Sequence, residues 1–164
     1  MAYTTPGTVA AGDVYTAAAH NIQVNNVIAL AVPSTCIMTF SGYTHNNLAG
    51  VLNPTFTEEV DNDSMHATGA NNSRITINTA GVYLICITIQ QTAGASTQQY
   101  IEVYKNGVSI GWQGSAQASG STTGSVSVVS KAIATDYYQM FVNNGGTSTL
   151  TGRFSVNLVG VNVS

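Results

Sequence analysis

Charge is what this sequence lacks. Its 164 residues include four Lys and Arg and seven Asp and Glu, 7% of the chain, against about a quarter in ordinary globular domains. Four cations cannot neutralise a run of phosphates, which excludes a nucleic-acid binder driven by counterion release. Low charge with 44% apolar residues is also the wrong balance for a disordered chain. No apolar run reaches the roughly 18 residues of a membrane span, so no membrane partner is expected. The N-terminus has no basic stretch followed by an apolar one, so no classical signal peptide is read. Cysteine is scarce as well. Cys36 and Cys86 stand 50 positions apart, matching neither a zinc spacing nor a Cys-x-x-Cys redox pair. Cys86 falls inside the apolar run Val82–Ile89 and reads as a buried, inert thiol; a Cys36–Cys86 bridge is the alternative.

Uncharged polar residues fill the gap, with 21 Thr, 15 Ser and 15 Asn. A folded monomer of this mass exposes roughly 7,700 Å², which leaves about 700 Å² for each charge. So neutral a surface suits a protein packed in an assembly, where an unpaired buried charge costs several kcal/mol. It also suits an extracellular or virion protein built of short strands. A soluble monomer with a quiet surface is the plain alternative. The sequons Asn71-Asn72-Ser73 and Asn162-Val163-Ser164 are expected by chance in such a composition.

The chain divides into an arm, residues 1–26, and a single domain, residues 27–164. The arm is rich in Ala, Thr and Asn. Ala17, Ala18 and Ala19 favour a helix over about 14–25, while Thr16, Val24 and the asparagines oppose it. From Val27–Val32, read as an opening strand, the pattern is β throughout. Val82–Ile89 is apolar at both parities, as a central strand covered on both sides requires. Tyr100–Tyr104 and Val108–Trp112 flank Asn106-Gly107, the pair that supplies two positive φ angles to a type I′ hairpin. Ala116–Gly124 has no large side chain and reads as a mobile loop. Ser125–Val129, Tyr137–Val142 and Thr149–Val161 follow, the last with Phe154, Val156 and Leu158 on one face. Short strands joined by Gly/Asn turns predict an all-β antiparallel sandwich.

Few groups suggest chemistry. His20, His45 and His66 lie in no metal-ligand motif, and no Gly-x-Ser-x-Gly elbow or phosphate-binding glycine loop occurs. The reading is therefore a non-enzyme without a cofactor. Four of the seven acids, Glu58, Glu59, Asp61 and Asp63, cluster in one short stretch. Oxygen ligands at this density can hold Ca²⁺, but the Gly and distal Glu of an EF-hand are missing. A solvated loop is the first reading and a weak calcium site the second.

Four segments, in order, resemble the jelly-roll superfamily of the complement globular head and tumour necrosis factor. Ile75–Tyr83 is similar to its run ending Ala-Gly-Val-Tyr, and Tyr104-Lys105-Asn106-Gly107 to its Lys-Asn-Gly hairpin. Ala132–Tyr138 resembles its Gly-Asp turn, with Thr135 where Gly is usual. Phe154–Leu158 resembles its closing strand, with Val156 where Gly is usual. The resemblance implies a jelly roll that assembles as a compact homotrimer. Val82, Leu84, Tyr137, Tyr138 and Phe141 are the interface candidates, with Trp112 beside them. Tyr83, Gly81, Asn106 and Asp136 are expected to serve the fold.

The arm segment Ala11–Ala17, followed by Asn21, is similar to a stretch near the start of many bacteriophage structural proteins. This implies a virion protein assembled in the host cytoplasm. The leading expectation is a capsid decoration (cement) protein whose partners are itself and the major capsid protein. In that reading Tyr3, Val14, Tyr15 and Ile22 are the arm's contacts on the shell. The alternative is a receptor- or glycan-binding head of a fibre or tail tip. That head would use the loops Ala116–Gly124 and Leu48–Thr57, with Tyr100, Tyr104 and Trp112 stacking on sugars.

Overall fold

The computed structural model describes residues 20–21, 33–46, 49–94, 98–116, 122–144 and 146–161. Ten strands follow in order: β1 (Thr35–His45), β2 (Gly50–Val51), β3 (Thr57–Asp61), β4 (Arg74–Thr76), β5 (Gly81–Gly94), β6 (Gln98–Lys105), β7 (Val108–Ala116), β8 (Thr122–Ala132), β9 (Tyr137–Asn144) and β10 (Ser148–Val161). They form two antiparallel sheets. The first has the order β3-β1-β10-β5-β8; the second runs β2-β9-β6-β7, with β4 also paired to β9. The chain crosses repeatedly between the sheets, as in a jelly roll.

Alternation along β5 sets the layers. Tyr83, Ile85, Ile87 and Ile89 point inward and are fully buried. They meet Ile101 and Val103 of β6 and Tyr138, Met140 and Val142 of β9 in one apolar cluster, with Met38, Phe154 and Val156 from their own sheet. Each such side chain contributes about 1.5–3 kcal/mol on burial. Tyr83 has to satisfy its hydroxyl in this setting. It donates to the Thr79 carbonyl at 2.5 Å, and burial, then the nearby Asp63 carboxylate, pushes its pKa up to about 12.

Gly81, expected to serve the fold, opens β5. Its φ is not positive, and the reason for glycine is proximity. A Cβ there would lie 2.3 Å from Leu158 Cδ1 and 2.7 Å from the Gly160 carbonyl oxygen. The β6–β7 hairpin is as read from the sequence, with φ of 51° at Asn106 and 81° at Gly107. Ala116 and Thr122–Gly124, expected in a loop, belong to β7 and β8. Residues 117–121 lie outside the described residues, as do the expected opening strand Val27–Val32 and the arm except His20 and Asn21, which have helical backbone.

One corner joins three turns. Asn106 donates through Nδ2 to Asp136 Oδ1 at 2.7 Å, and its Oδ1 accepts the Tyr137 N–H at 2.9 Å. Asp136 Oδ2 accepts the Ile133 N–H at 3.0 Å and pairs with Lys105 Nζ at 2.9 Å. Thr135 donates its N–H to the Ile77 carbonyl at 2.8 Å. Burial acts to raise the Asp136 pKa, but the bonds from Asn106, Ile133 and Lys105 and the Lys105 charge outweigh it and hold the carboxyl below its ordinary value.

Two outcomes are expected here. Thr135 adopts φ of 80°, where a β-branched side chain is strained by about 1–3 kcal/mol. Thr135→Gly should therefore gain up to about 1 kcal/mol after the added freedom of the unfolded chain is subtracted. A calorimetric melting temperature higher by a few degrees would show this. Asp136 has a depressed folded pKa, so its stabilisation is present above pH 4 or so and is lost as pH falls through that folded value. Asp136→Asn should cost about 2 kcal/mol at pH 7 and flatten the acid limb of a stability–pH profile measured by urea unfolding.

Candidate functional site

The acidic stretch is a structural latch. Asp61 Oδ1 accepts the Met65 N–H at 2.8 Å and Oδ2 accepts the His66 N–H at 2.9 Å. Asp63 Oδ2 accepts the hydroxyls of Ser34 at 2.8 Å and Thr79 at 3.0 Å. Glu58 Oε1 faces His66 Nδ1 at 2.5 Å, and the other ring nitrogen, Nε2, lies 3.0 Å from the Asn72 carbonyl. Glu59 reaches outward to Arg153 at 3.2 Å. The four carboxylates thus engage Met65, His66, Ser34, Thr79 and Arg153, and the structure does not gather them as calcium ligands. Among the described residues no group of three or more His, Cys, Asp or Glu is arranged to hold a metal. Beside Asp61 and Glu58, the Cys36 thiol is held at a pKa of about 12, first by burial and then by those two charges. Both cysteines are free.

An open hollow of about 430 Å³ is lined by Lys105, Lys131, Ala132, Ile133 and Asp136. Two of its three titratable residues are already engaged with each other, because Lys105 Nζ pairs with Asp136 and also donates to the Lys131 carbonyl at 2.6 Å. That leaves the two outer sheet faces as candidate surfaces.

On the first sheet, the outward parity of β5 carries Val82, Leu84 and Cys86, each half-buried. Leu84 sits opposite Val129 of β8 and Asn157 of β10. Cys86 sits opposite Ser127 and Ser155, and the row continues through Ile37 of β1 to Val60 of β3. Val129 is 66% exposed and Val60 41%. Two cations lie on this face: Lys131 opposite Val82, and Arg153 on the central strand β10, opposite Thr88 and paired with Glu59. The two rows through Leu84 and Cys86 carry apolar, hydroxyl and amide side chains and no charge.

The second sheet carries rings on its outer face. Tyr100 and Tyr104 of β6, Trp112 of β7, and Tyr137 and Phe141 of β9 all have outward parity, opposite to the buried Ile101, Val103, Tyr138 and Met140. Tyr104 and Phe141 stack in parallel with centroids 4.6 Å apart. Tyr100 and Trp112 approach to 6.2 Å. The Arg74 guanidinium covers the Tyr137 ring at 4.6 Å. Trp112 is 66% exposed.

The five interface residues expected from sequence are therefore not one surface. Val82 and Leu84 face outward from the first sheet, and Tyr137 and Phe141 from the second. Tyr138 is a correction: neighbours in a strand point to opposite sides, and Tyr138 lies fully buried in the core. The arm candidates Tyr3, Val14, Tyr15 and Ile22 fall outside the described residues. The signal that separates Tyr137 from Tyr138 was present in the sequence, in the parity of Tyr138 with Met140 and Val142.

No family model matches the sequence, and neither does any curated protein. Solved structures do match in fold. The globular domain of the zebrafish complement 1qA protein is 12% identical, covering 79% of this chain and 99% of its own, with a TM-score of 0.62. The Eiger TNF of S. frugiperda is 9% identical, covering 80% and 96%, at 0.60. The PRD1 vertex protein P5 is 11% identical, covering 78% and 96%, at 0.61. At such identities the likeness shows the fold alone: the chain is an all-β, antiparallel jelly roll of the complement-head and tumour-necrosis-factor type.

Proposed function

We propose that this protein is a virion structural component, a homotrimer that decorates an assembled capsid and contacts the major capsid protein there. The observation that carries the reading is the outer face of the first sheet. Val82 and Leu84 of β5, Ile37 of β1 and Val129 of β8 are apolar positions on three strands, joined across β10 by the uncharged Ser155 and Asn157, with Lys131 and Arg153 as the neighbouring cations. Large contiguous apolar surface on a soluble protein marks an interaction site, and a second and third copy of the same chain supply a matching neutral surface. The likeness to a vertex protein among the fold neighbours supports a place in a virion; assembly in the host cytoplasm belongs to the proposal. A trimer that binds the closed lattice and not free subunits stabilises the shell by linkage, and three weak contacts combine through effective concentration. No catalytic step or cofactor enters this role.

A closed ring of three favours the use of one face. Around a three-fold axis, each copy meets its two neighbours along directions about 60° apart. The outer faces of a sandwich point in nearly opposite directions, so both cannot line the same ring. The first sheet therefore turns toward the axis, and the aromatic face of the second turns away.

Native mass spectrometry should give a species of three times the 17.0 kDa chain mass. Leu84→Lys places a charge in each interface at a cost of several kcal/mol and should yield folded monomers. Those monomers should fail to saturate decoration-free capsids in a pull-down that the parent trimer saturates. A parent protein that stays monomeric at micromolar concentration, or a trimer indifferent to Leu84→Lys, contradicts the proposal.

A further inference from the structure

We infer that the outer face of the second sheet is a binding platform for a neutral glycan chain. This goes beyond the decoration role and does not depend on it. Outward positions of an antiparallel sheet ordinarily meet water and carry polar side chains. Here five of them carry rings. The register gives their layout. One row across the sheet reads Trp112–Glu102–Phe141–Val51, and the next reads Ser109–Tyr104–Gln139–Arg74. Tyr100 lies one step before the first row, and Tyr137 one step beyond the second, where the Asn106 N–H donates to its carbonyl at 3.0 Å. From Tyr100 to the level of Tyr137 the platform spans about 20 Å along the strands, the length of several pyranose rings.

The chemistry of the face selects its ligand. The rings offer apolar surfaces, and Glu102, Gln139 and Arg74 sit between them as hydrogen-bonding groups. A sugar ring has the complementary pattern, with C–H faces that stack on aromatics and equatorial hydroxyls that need donors and acceptors. One carboxylate and one guanidinium leave the platform without net charge, a poor match for nucleic acid or an anionic membrane surface and a good match for an uncharged polysaccharide. The rings are also held before any ligand arrives. The Tyr104–Phe141 stack, the Tyr100–Trp112 contact and the Arg74–Tyr137 contact limit their freedom, and Gln139 Nε2 donates to Ser73 Oγ at 3.3 Å. Little ordering entropy is then lost on binding.

The test is affinity gel electrophoresis of the full chain through gels containing neutral polysaccharides: starch, mannan, galactan, xylan and a soluble β-glucan. At least one should retard the protein. Trp112→Ala should weaken that retardation at least tenfold, Trp112→Phe should restore part of it, and Glu102→Ala should weaken it by a smaller factor. Trp112 and Glu102 lie outside the core, so all variants should keep the parent melting temperature. The trimer proposal is read separately, because Trp112→Ala should leave the sedimentation coefficient unchanged. The inference is overturned if no gel retards the protein, if Trp112→Ala is retarded as strongly as the parent, or if the substitution instead dissociates the trimer or releases the protein from capsids. The last result would make this face a protein interface.

Discussion

The fold depends on how β5 divides its side chains. Four large residues at alternate positions, Tyr83, Ile85, Ile87 and Ile89, are driven out of water on one side. A single sheet cannot cover them, so the second sheet must close over that side, and the crossovers of the chain bring it there. The remaining parity of β5, Val82, Leu84 and Cys86, is only half-buried and has no such cover among the described residues. The strand that builds the core therefore also creates the surface with the strongest demand for a partner. The same alternation is why Gly81 is glycine: β10 lies so close to the start of β5 that Leu158 occupies the space a Cβ would need.

Most of the few charges are engaged with one another, with backbone groups or with a ring. Lys105 is held by Asp136 and a carbonyl, Arg153 by Glu59, and Arg74 lies over Tyr137. Asp61 and Asp63 accept backbone and hydroxyl donors that pin residues 62–66 against β1 and the start of β5. Each of these groups locks a connection that has little apolar area of its own. The result is a molecule whose loops are fastened by ionic and hydrogen-bonded contacts and whose sheet faces are left almost neutral, which allows such faces to be buried or stacked upon without desolvating an unpaired charge.

How far the sequence could be read follows from which information is local. The β5 alternation, the Asn106-Gly107 hairpin and the Asp136 turn are set by residues a few positions apart, and they stand in the structure as read. Gly81 was correctly identified as structural, but its reason lies in β10, some 77 positions downstream, and no local pattern carries it. Acidic density around Glu58–Asp63 reads first as a solvated loop and second as a weak cation site; the latch is hidden because a sequence shows how many carboxylates are near and not where they point. The sequence groups Tyr100, Tyr104 and Trp112 as rings for a sugar but assigns Tyr137 and Phe141 elsewhere, for the same reason. Tyr100, Trp112 and Phe141 come from three strands, and only register places Glu102 between Trp112 and Phe141. Tyr138 was a lapse of parity: Tyr137 and Tyr138 were assigned to one surface, although consecutive strand residues cannot share a face.

The two outer faces differ in the kind of partner they can satisfy. Aliphatic side chains such as Leu84 and Val129 gain from exclusion of water and have no polar atom to satisfy, so their best partner is another dry, close-packed surface of fixed shape. Aromatic rings set among Glu102, Gln139 and Arg74 gain less from complete drying, because the polar groups between them would then need new partners. They suit a ligand that brings its own hydroxyls and leaves water at its edges. In the proposed trimer these demands would fall on opposite sides of the sandwich: permanent burial on the first sheet, reversible contact on the second. A trimer of this geometry would present three identical platforms pointing away from one another. Neighbouring sites on one copy of a ligand could then be bridged only by a long or flexible chain, which favours an extended polymer over a compact partner.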